Sequence, residues 1–423
     1  MTIRSFGWVQ NPSDFKKLKQ TVEIFSKNSK QYQLLKESLI KEKLHNFKDI
    51  QSSLQEKLND GIEEFSYIEL VGKNLGKDRK TPKSRKYSLP NALIQISLDS
   101  QSASTKNKHF TDEWSSDGFL RWAVSLNFVE QNRQTDIFKI TSRGKQFIET
   151  QNEVEMNKVL REAFLSYPPA TRVLEILNNN TEVTKFFIGN RLGFKDEPGF
   201  TSYSEELMLD WIKESENKKE ELKIRSDVEG TADKYARMIC GWLKKVGFVS
   251  QKSIQYNSLL EKNRKITGFS LYSITAKGSH ALRQTQGNSS NSKREKFVMW
   301  EFLAVKGKGK YYTRTRRAYI LKFLETSTSF KSLMNHLKHK GFEESEDIIK
   351  LDIEGLNNIG IRIDFKGNNI KLLDKINNFI IPDINLKLTV DEKERLELKE
   401  YFISNTRIPV SYTHLTLPTI YSV

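Results

Sequence analysis

Lys234, Arg237, Lys244 and Lys245 fall within one stretch, residues 231–249, at positions that keep all four clear of its apolar residues. Ammonium and guanidinium groups held in this way suit one kind of chemistry: charge-assisted hydrogen bonds to phosphate oxygens, or to O6 and N7 of guanine. Gln10 and Asn11, in the N-terminal string Phe6-Gly7-Trp8-Val9-Gln10-Asn11-Pro12, carry the amide side chains that pair bidentately with adenine. The same string also reads as a plain turn ending at Pro12 ahead of a helix.

An element has to hold the four cations in place. Tyr235, Met238, Ile239, Trp242, Leu243 and Val246 recur at the i, i+3, i+4, i+7, i+8 and i+11 positions of one apolar helical face. Thr231 is the expected N-cap, Asp233 suits the positive end of the helix dipole, Gly241 leaves a gap on the cationic side, and Gly247 is placed to stop the helix. Phe248-Val249 then opens a strand. A helix apolar on one side and cationic on the other, followed at once by a strand, reads as the recognition helix and first wing strand of a winged helix-turn-helix. An ordinary surface helix with a solvated face has the same pattern, so the reading rests on recurrence.

The pattern does recur. Residues 114–129 repeat it: Ser115 or Ser116 can cap, Phe119, Leu120, Ala123 and Leu126 make the buried face, and Asn127 can take the left-handed stop. Aligned from their ends, Trp122 matches Trp242 and Asn127-Phe128-Val129 matches Gly247-Phe248-Val249. Each copy returns through a strand to a similar exit, Ile140-Thr141-Ser142-Arg143-Gly144 in one and Ile274-Thr275-Ala276-Lys277-Gly278 in the other, the second wing being longer. In the second copy a helix opens at Tyr167-Pro168-Pro169, residues 184–192 form the supporting helix ending at Gly193, and residues 214–223 form a charged, exposed insertion. A third copy follows the polar linker of residues 286–292. There Arg314-Thr315-Arg316-Arg317 leads into a helix over 319–324, and a hairpin turns at Lys366-Gly367-Asn368. Its recognition helix begins Glu343-Glu344-Ser345-Glu346-Asp347 and carries Asp352 and Glu354, a surface that phosphates would repel. The third copy is therefore expected to contact protein rather than DNA.

Composition bounds the partners. Among 423 residues, 69 Lys and Arg outweigh 53 Asp and Glu, a net charge of +16 that calls for a polyanion, whether DNA, RNA or a membrane surface. One cysteine, Cys240, excludes an intrachain disulfide or a cysteine metal cluster, and with six scattered histidines no zinc site is expected. No transmembrane run or signal peptide is evident, which suits a cytoplasmic protein with no membrane partner. The basic loop over residues 77–86, broken by Pro82, suits tracking of a DNA backbone, although most such runs are merely solvated. The fold class is mainly α with small β wings (α+β), as three tandem winged helix-turn-helix domains over residues 1–152, 153–286 and 287–382. A linker follows over 383–409.

Residues 410–423 contain no Lys, Arg, Asp or Glu and read as the conceptual translation of sequencing-adapter DNA, so the natural protein is expected to continue beyond about Pro409.

From Arg4 to about Pro409 the chain resembles the FokI-like type IIS restriction endonucleases. The resemblance is carried by the N-terminal string quoted above, by Trp114-Ser115-Ser116-Asp117-Gly118-Phe119-Leu120-Arg121-Trp122-Ala123 and by Ser166-Tyr167-Pro168-Pro169-Ala170. It is carried further by Gly199-Phe200-Thr201-Ser202, Asp233-Lys234-Tyr235-Ala236-Arg237-Met238-Ile239 and Arg314-Thr315-Arg316-Arg317-Ala318. It implies recognition of an asymmetric site in double-stranded DNA by two winged-helix domains. A third would pack on the enzyme's own nuclease domain, which cuts to one side and dimerises transiently to do so. Transferred onto matching positions, it implies base contacts from Gln10, Asn11, Arg85, Gln101 and Trp114 in the first domain and from Glu229, Lys234 and Arg237 in the second. The residue types agree, since Glu229 can accept from a cytosine amino group. Ser226 stands where the family has Asn, which removes one bidentate amide.

The family's nuclease is of the PD-(D/E)xK class and uses Mg²⁺ held by acidic residues. Pro382-Asp383 with Glu397-Leu398-Lys399 mimics that string, but such triplets arise by chance in a Lys/Glu-rich chain, as Asp391-Glu392-Lys393 and Glu216-Asn217-Lys218 do. No catalytic or metal-binding residue is therefore expected in this chain, which should bind DNA without cutting it. A winged-helix transcriptional regulator is the alternative; it would predict a palindromic target and one recognition module per subunit.

Overall fold

Helices joined by short strands make up the computed structural model, which describes residues 6–10, 12–41, 48–72, 92–98, 110–195, 197–261, 263–287, 293–304 and 311–383. The basic loop over 77–86, most of the 286–292 linker, and everything from residue 384 on lie outside the described residues. The chain divides into two units, 1–167 and 168–423. Among the described residues no helix is long and apolar enough to cross a membrane.

The first unit runs α1 (Phe15–Glu23), α2 (Lys30–Lys41), α3 (Lys48–Asn59), β1 (Phe65–Ser66), α4 (Tyr67–Val71), α5 (Leu93–Ser97), α6 (Glu113–Ser125), β2 (Val129–Asn132), β3 (Ile137–Ile140), α7 (Ser142–Ile148) and α8 (Glu153–Ser166). Helix α6 is the element read as the first recognition helix, and Phe119, Leu120 and Ala123 on it are fully buried as its periodicity requires. Its cap differs from expectation. Asp112, not Ser115 or Ser116, accepts from the Ser115 N–H at 2.7 Å, because a carboxylate there also meets the positive end of the helix. Ser116 is inside the helix, its hydroxyl donating to the Asp112 carbonyl. The chain leaves α6 through Asn127 in the left-handed region (φ +57°) and enters the antiparallel sheet β1-β3-β2, with Phe65 opposite Phe138 and Val129 opposite Ile140. Thr141 caps α7, which brings Phe147 flat against Phe128 at 4.4 Å.

The second unit begins α9 (Pro168–Asn178), β4 (Val183–Thr184), α10 (Lys185–Gly189), α11 (Glu205–Lys213), α12 (Lys218–Asp227), α13 (Thr231–Lys245), β5 (Val249–Asn257), β6 (Lys265–Ile274) and α14 (Ala276–Thr285), with sheet order β4-β6-β5. The supporting helix α10 is shorter than the 184–192 expected; Thr184 is its cap, and turns lead to Gly193 at φ +94°. The charged insertion over 214–223 is exposed as expected apart from Ser215 and Glu221, which are buried. The helices α11 and α12 around it send Met208, Ile212 and Ile224 into a cluster with Phe186, Ile266 and Phe269. Helix α13 buries Tyr235, Met238, Ile239, Trp242 and Leu243, and Val246 just past its end is also buried. Its N-cap is Gly230 rather than Thr231, since the backbone of Thr201 and Ser202 passes where a Cβ at 230 would stand. Gly247 ends it at φ +80°. The hairpin that follows has strands of 9 and 10 residues against 4 and 4 in the first unit.

The same unit continues through β7 (Glu295–Lys296), α15 (Tyr311–Leu324), α16 (Phe330–His339), α17 (Glu346–Asn358), β8 (Ile363–Lys366), β9 (Asn369–Leu372) and β10 (Lys375–Ile376), with β7 and β10 parallel. Arg314, Thr315, Arg316 and Arg317 do not precede a helix; they lie inside α15 and are buried. Their partner corrects a second expectation. Asp352 is not on the acidic surface but 2% exposed, accepting from Arg316 Nε at 2.6 Å and Arg317 Nε at 2.8 Å. The exposed acids of α17 are Glu346, Asp347 and Glu354, and Gly367 turns the β8–β9 hairpin at φ +59°.

Candidate nucleic-acid interface

Glu229 closes the loop before α13, and its side chain is only 1% exposed. A carboxylate at that depth must be paired. Lys185, the first residue of α10, donates Nζ to Oε1 at 2.6 Å, while Arg237 donates Nε to Oε1 at 2.8 Å and Nη2 to Oε2 at 3.0 Å. Burial works to raise the Glu229 carboxyl, but the hydrogen bonds from Arg237 and Lys185 outweigh it and hold the group below the ordinary carboxylate value. The three differ sharply in access: Lys185 is 6% exposed and Arg237 44%. Arg237 therefore presents a guanidinium fixed from behind and open in front. A cavity of about 280 Å³ adjoins it, lined by Lys185, Leu222, Arg225, Phe269, Ser270 and Tyr272 as well as Arg237.

The turn leading into α13 is fixed by a second acid. Asp233, fully buried, accepts from the Ser202 hydroxyl, from the Tyr203 N–H at 3.1 Å and from the Gly230 N–H at 2.9 Å. Burial raises its carboxyl to about 6, against the pull of those three donors. Thr201 completes the join, its carbonyl accepting from Ala232 N–H at 2.8 Å and its hydroxyl from Thr231 N–H at 3.0 Å. Lys234 is half-buried on the same helix, and Lys244 and Lys245 are exposed toward its end. Lys244 Nζ donates to Gln251 Oε1 at 2.9 Å, tying the helix end to β5.

In the first unit the N-terminal arm is anchored rather than loose. Phe6, Trp8 and Val9 are buried; Gly7 donates its N–H to Ser125 Oγ at 3.2 Å and accepts the Tyr167 hydroxyl on its carbonyl at 2.5 Å. Pro12 then lies against α6 at Gly118, with Cδ 3.5 Å from where a Cβ would stand. Gln10 is half-buried in this arm, and Trp114 at the start of α6 is 67% exposed. Asn11, Arg85 and Gln101 lie outside the described residues, as does the side chain of Ser226.

The structure thus brings Glu229 and Arg237 into direct contact and sets Lys234 on the same helix. Sequence reasoning missed Lys185 altogether. A signal for it existed, since a cation in the first turn of a helix opposes the dipole and implies a carboxylate nearby. Among the described residues no group of three or more His, Cys, Asp or Glu could hold a metal ion.

Comparison with known proteins agrees with this organisation. Residues 4–150 match the family described as FokI, recognition domain, subdomain 1; residues 156–290 match subdomain 2 of that recognition domain; and residues 303–368 match the FokI D3 domain. The chain is 38% identical over 406 residues to the type II restriction enzyme FokI of Planomicrobium okeanokoites, covering 94% of this chain and 67% of that protein. It is 28% identical over 415 residues to the type II restriction enzyme StsI of Streptococcus sanguinis, covering 93% and 66%. The solved structure of restriction endonuclease FokI superposes with a TM-score of 0.84 at 36% identity, over 96% of this chain and 69% of that one. The structure of FokI bound to DNA covers the same shares at the same identity and gives 0.85. The chain spans about two thirds of the length of the curated relatives it matches.

Proposed function

Because the chain belongs to the FokI family of type II restriction enzymes, we propose that it reads one asymmetric site in double-stranded DNA with two of its three modules. The observation that carries this is Arg237, a half-exposed guanidinium gripped from behind by Glu229 at the start of a helix whose opposite face is core. Held in that way, an arginine can offer two parallel donors to guanine O6 and N7 with little entropy left to lose. Lys234 reads beside it. Glu229, too deeply buried to meet a cytosine amino group itself, serves the same base step by fixing the fork that reads it. In the first module Gln10, Asn11, Arg85 and Gln101 supply polar contacts, and Trp114 supplies an apolar face for a thymine methyl group.

On this reading residues 1–152 and 153–286 are winged helices facing DNA, a proposal supported by helix, hairpin and capped closing helix recurring in the same order. Residues 287–382 form a third that contacts protein, supported by the acids Glu343, Glu346 and Asp347 around the start of α17. Its partner is the enzyme's nuclease domain. Cleavage with Mg²⁺, transient dimerisation and a cytoplasmic setting belong to the whole enzyme, and binding without cutting to the residues described.

Selection of the 423-residue chain against a pool of randomised duplexes, followed by footprinting on the enriched sequence, tests the proposal. A single asymmetric footprint is expected. No enrichment, or paired half-sites of a palindrome, would overturn it.

A further inference from the structure

Lys185 sits where a lysine is costly. It is the first residue of α10, where the helix dipole opposes a cation, and its side chain is 6% exposed. The ammonium lies 5.0 Å from the Phe186 ring centroid and 5.4 Å from that of Phe269, and burial pulls it below the ordinary lysine value. At that depth it is not placed to touch a duplex. What it does touch is Glu229 Oε1, the oxygen that also accepts Arg237 Nε. Glu229 takes the Nε and Nη2 side of the guanidinium, which leaves the Nη1 and Nη2 end facing outward, apart from a 3.6 Å approach of Nη1 to Met238 Sδ.

We propose that Lys185 is a specificity-determining positioning residue: it pins the Glu229 carboxylate from beneath and so fixes the angle at which Arg237 meets a base pair. This rests on Arg237 being a base reader. Without Lys185 the carboxylate keeps, among the described residues, only Arg237 as a partner, and the two can swing together about the Glu229 side chain. The fork would still bind a duplex, but its two donors would no longer be registered on one pair of acceptors. Methionine is unbranched and close to lysine in length, and the Phe186 and Phe269 rings flank the position, so Lys185→Met removes the pin while keeping most of the packing.

The test uses the full 423-residue chain and the duplex it enriches from a randomised pool, with each base pair then substituted singly. Arg237→Ala is expected to reduce discrimination at one base pair by about 10- to 100-fold, the range of a lost bidentate contact. Lys185→Met should reduce discrimination at that same pair by about tenfold and add nothing in the Arg237→Ala background, since the pin acts only through that arginine. Thermal melting checks folding. If Lys185→Met does not fold, Lys185→Gln, which keeps a donor and loses the charge, takes its place with the same expectation at reduced size. Full discrimination in a folded Lys185 variant, or a loss spread over all base pairs, would overturn the proposal while leaving Arg237 as reader. If Arg237→Ala itself changes no single position, the reading beneath it fails as well.

Discussion

Arg317 donates Nη2 to Glu197 Oε1 at 2.6 Å, with its guanidinium carbon 3.6 Å from the centroid of the Phe194 ring. Arg317 belongs to α15 in the third module; Glu197 and Phe194 belong to the segment between α10 and α11 in the second. The same segment continues through Phe200, Thr201, Ser202 and Tyr203, which hold the start of α13. One piece of chain is thus fixed at one end by a buried ion-pair network and at the other by the helix that carries Arg237.

Asp352 is the centre of that network, accepting from both Arg316 and Arg317. Burial works to raise its carboxyl, but the two guanidiniums prevail and keep it below the ordinary range. Removing it leaves two buried cations with one acid each, Glu344 for Arg316 and Glu197 for Arg317. Asp352→Ala should therefore cost about 3–5 kcal/mol, the range for breaking a buried pair. Glu197→Gln keeps a neutral acceptor and should cost about 1–3 kcal/mol. Denaturant unfolding of the two variants measures both; a cost below 1 kcal/mol for Asp352→Ala would show that the network is idle.

The exposed acids of the third module should behave differently. Glu346 pairs only with Lys350 among the contacts described, at 3.4 Å, and its side chain is 65% exposed. Pairs of this kind contribute about 0–1 kcal/mol. On the proposal that this module faces protein, Glu343→Gln and Glu346→Gln should change stability by less than about 1 kcal/mol and leave duplex affinity within about twofold of the parent. A weakened duplex complex from either substitution would place this surface on DNA.

Periodicity made α13, its buried face and its glycine stop legible, because burial of a 3.6-residue stripe is what such a sequence is selected to do. The match of Asn127 to Gly247 was legible for the same reason, both residues taking positive φ at the end of a helix. What failed was pairing at a distance. A buried Arg316 or Asp352 looks in the sequence like any surface charge, and only the fold shows that each neutralises the other. The caps of α6 and α13 were misassigned by one to four residues, since Asp112 and Gly230 compete with neighbouring hydroxyls that are equally plausible by type. Glu229 and Arg237 were named separately; Lys185 beneath them stands 44 residues away in sequence from the carboxylate it holds.

Base reading and backbone tracking should separate in a salt titration. Arg237→Ala removes one oriented fork and should cost about 1–3 kcal/mol at a single base pair while leaving the salt slope nearly as it was. Lys83→Ala, in the basic loop over 77–86, should weaken binding to all sequences alike and lower the slope by about one counterion. Binding isotherms on the enriched duplex and on an unrelated one, each at several salt concentrations, decide it. A uniform loss from both variants would remove Arg237 from the base readers.

Asp233 supplies the pH dependence. Its carboxyl titrates at about 6 in the folded chain against an ordinary 3.8, because burial outweighs the donors Ser202, Gly230 and Tyr203, with Lys185 as the charged neighbour that also lowers it. The native state therefore binds this proton more tightly than the unfolded state does. Between about pH 4 and pH 6 the folded chain carries the proton and the unfolded chain does not, so this group's contribution to stability falls as pH rises through that window and levels off above it. The full change is roughly 3 kcal/mol at most. Asp233→Asn cannot titrate and loses an acceptor, so the stability difference between parent and variant should shrink from pH 4 to pH 6 and then stay constant. Carboxyl carbon shifts of labelled aspartate read the same group directly: a midpoint near 6 is expected, and one near 3.8 would mean that the donors Ser202, Gly230 and Tyr203 offset burial in full and that this group gives stability no pH dependence.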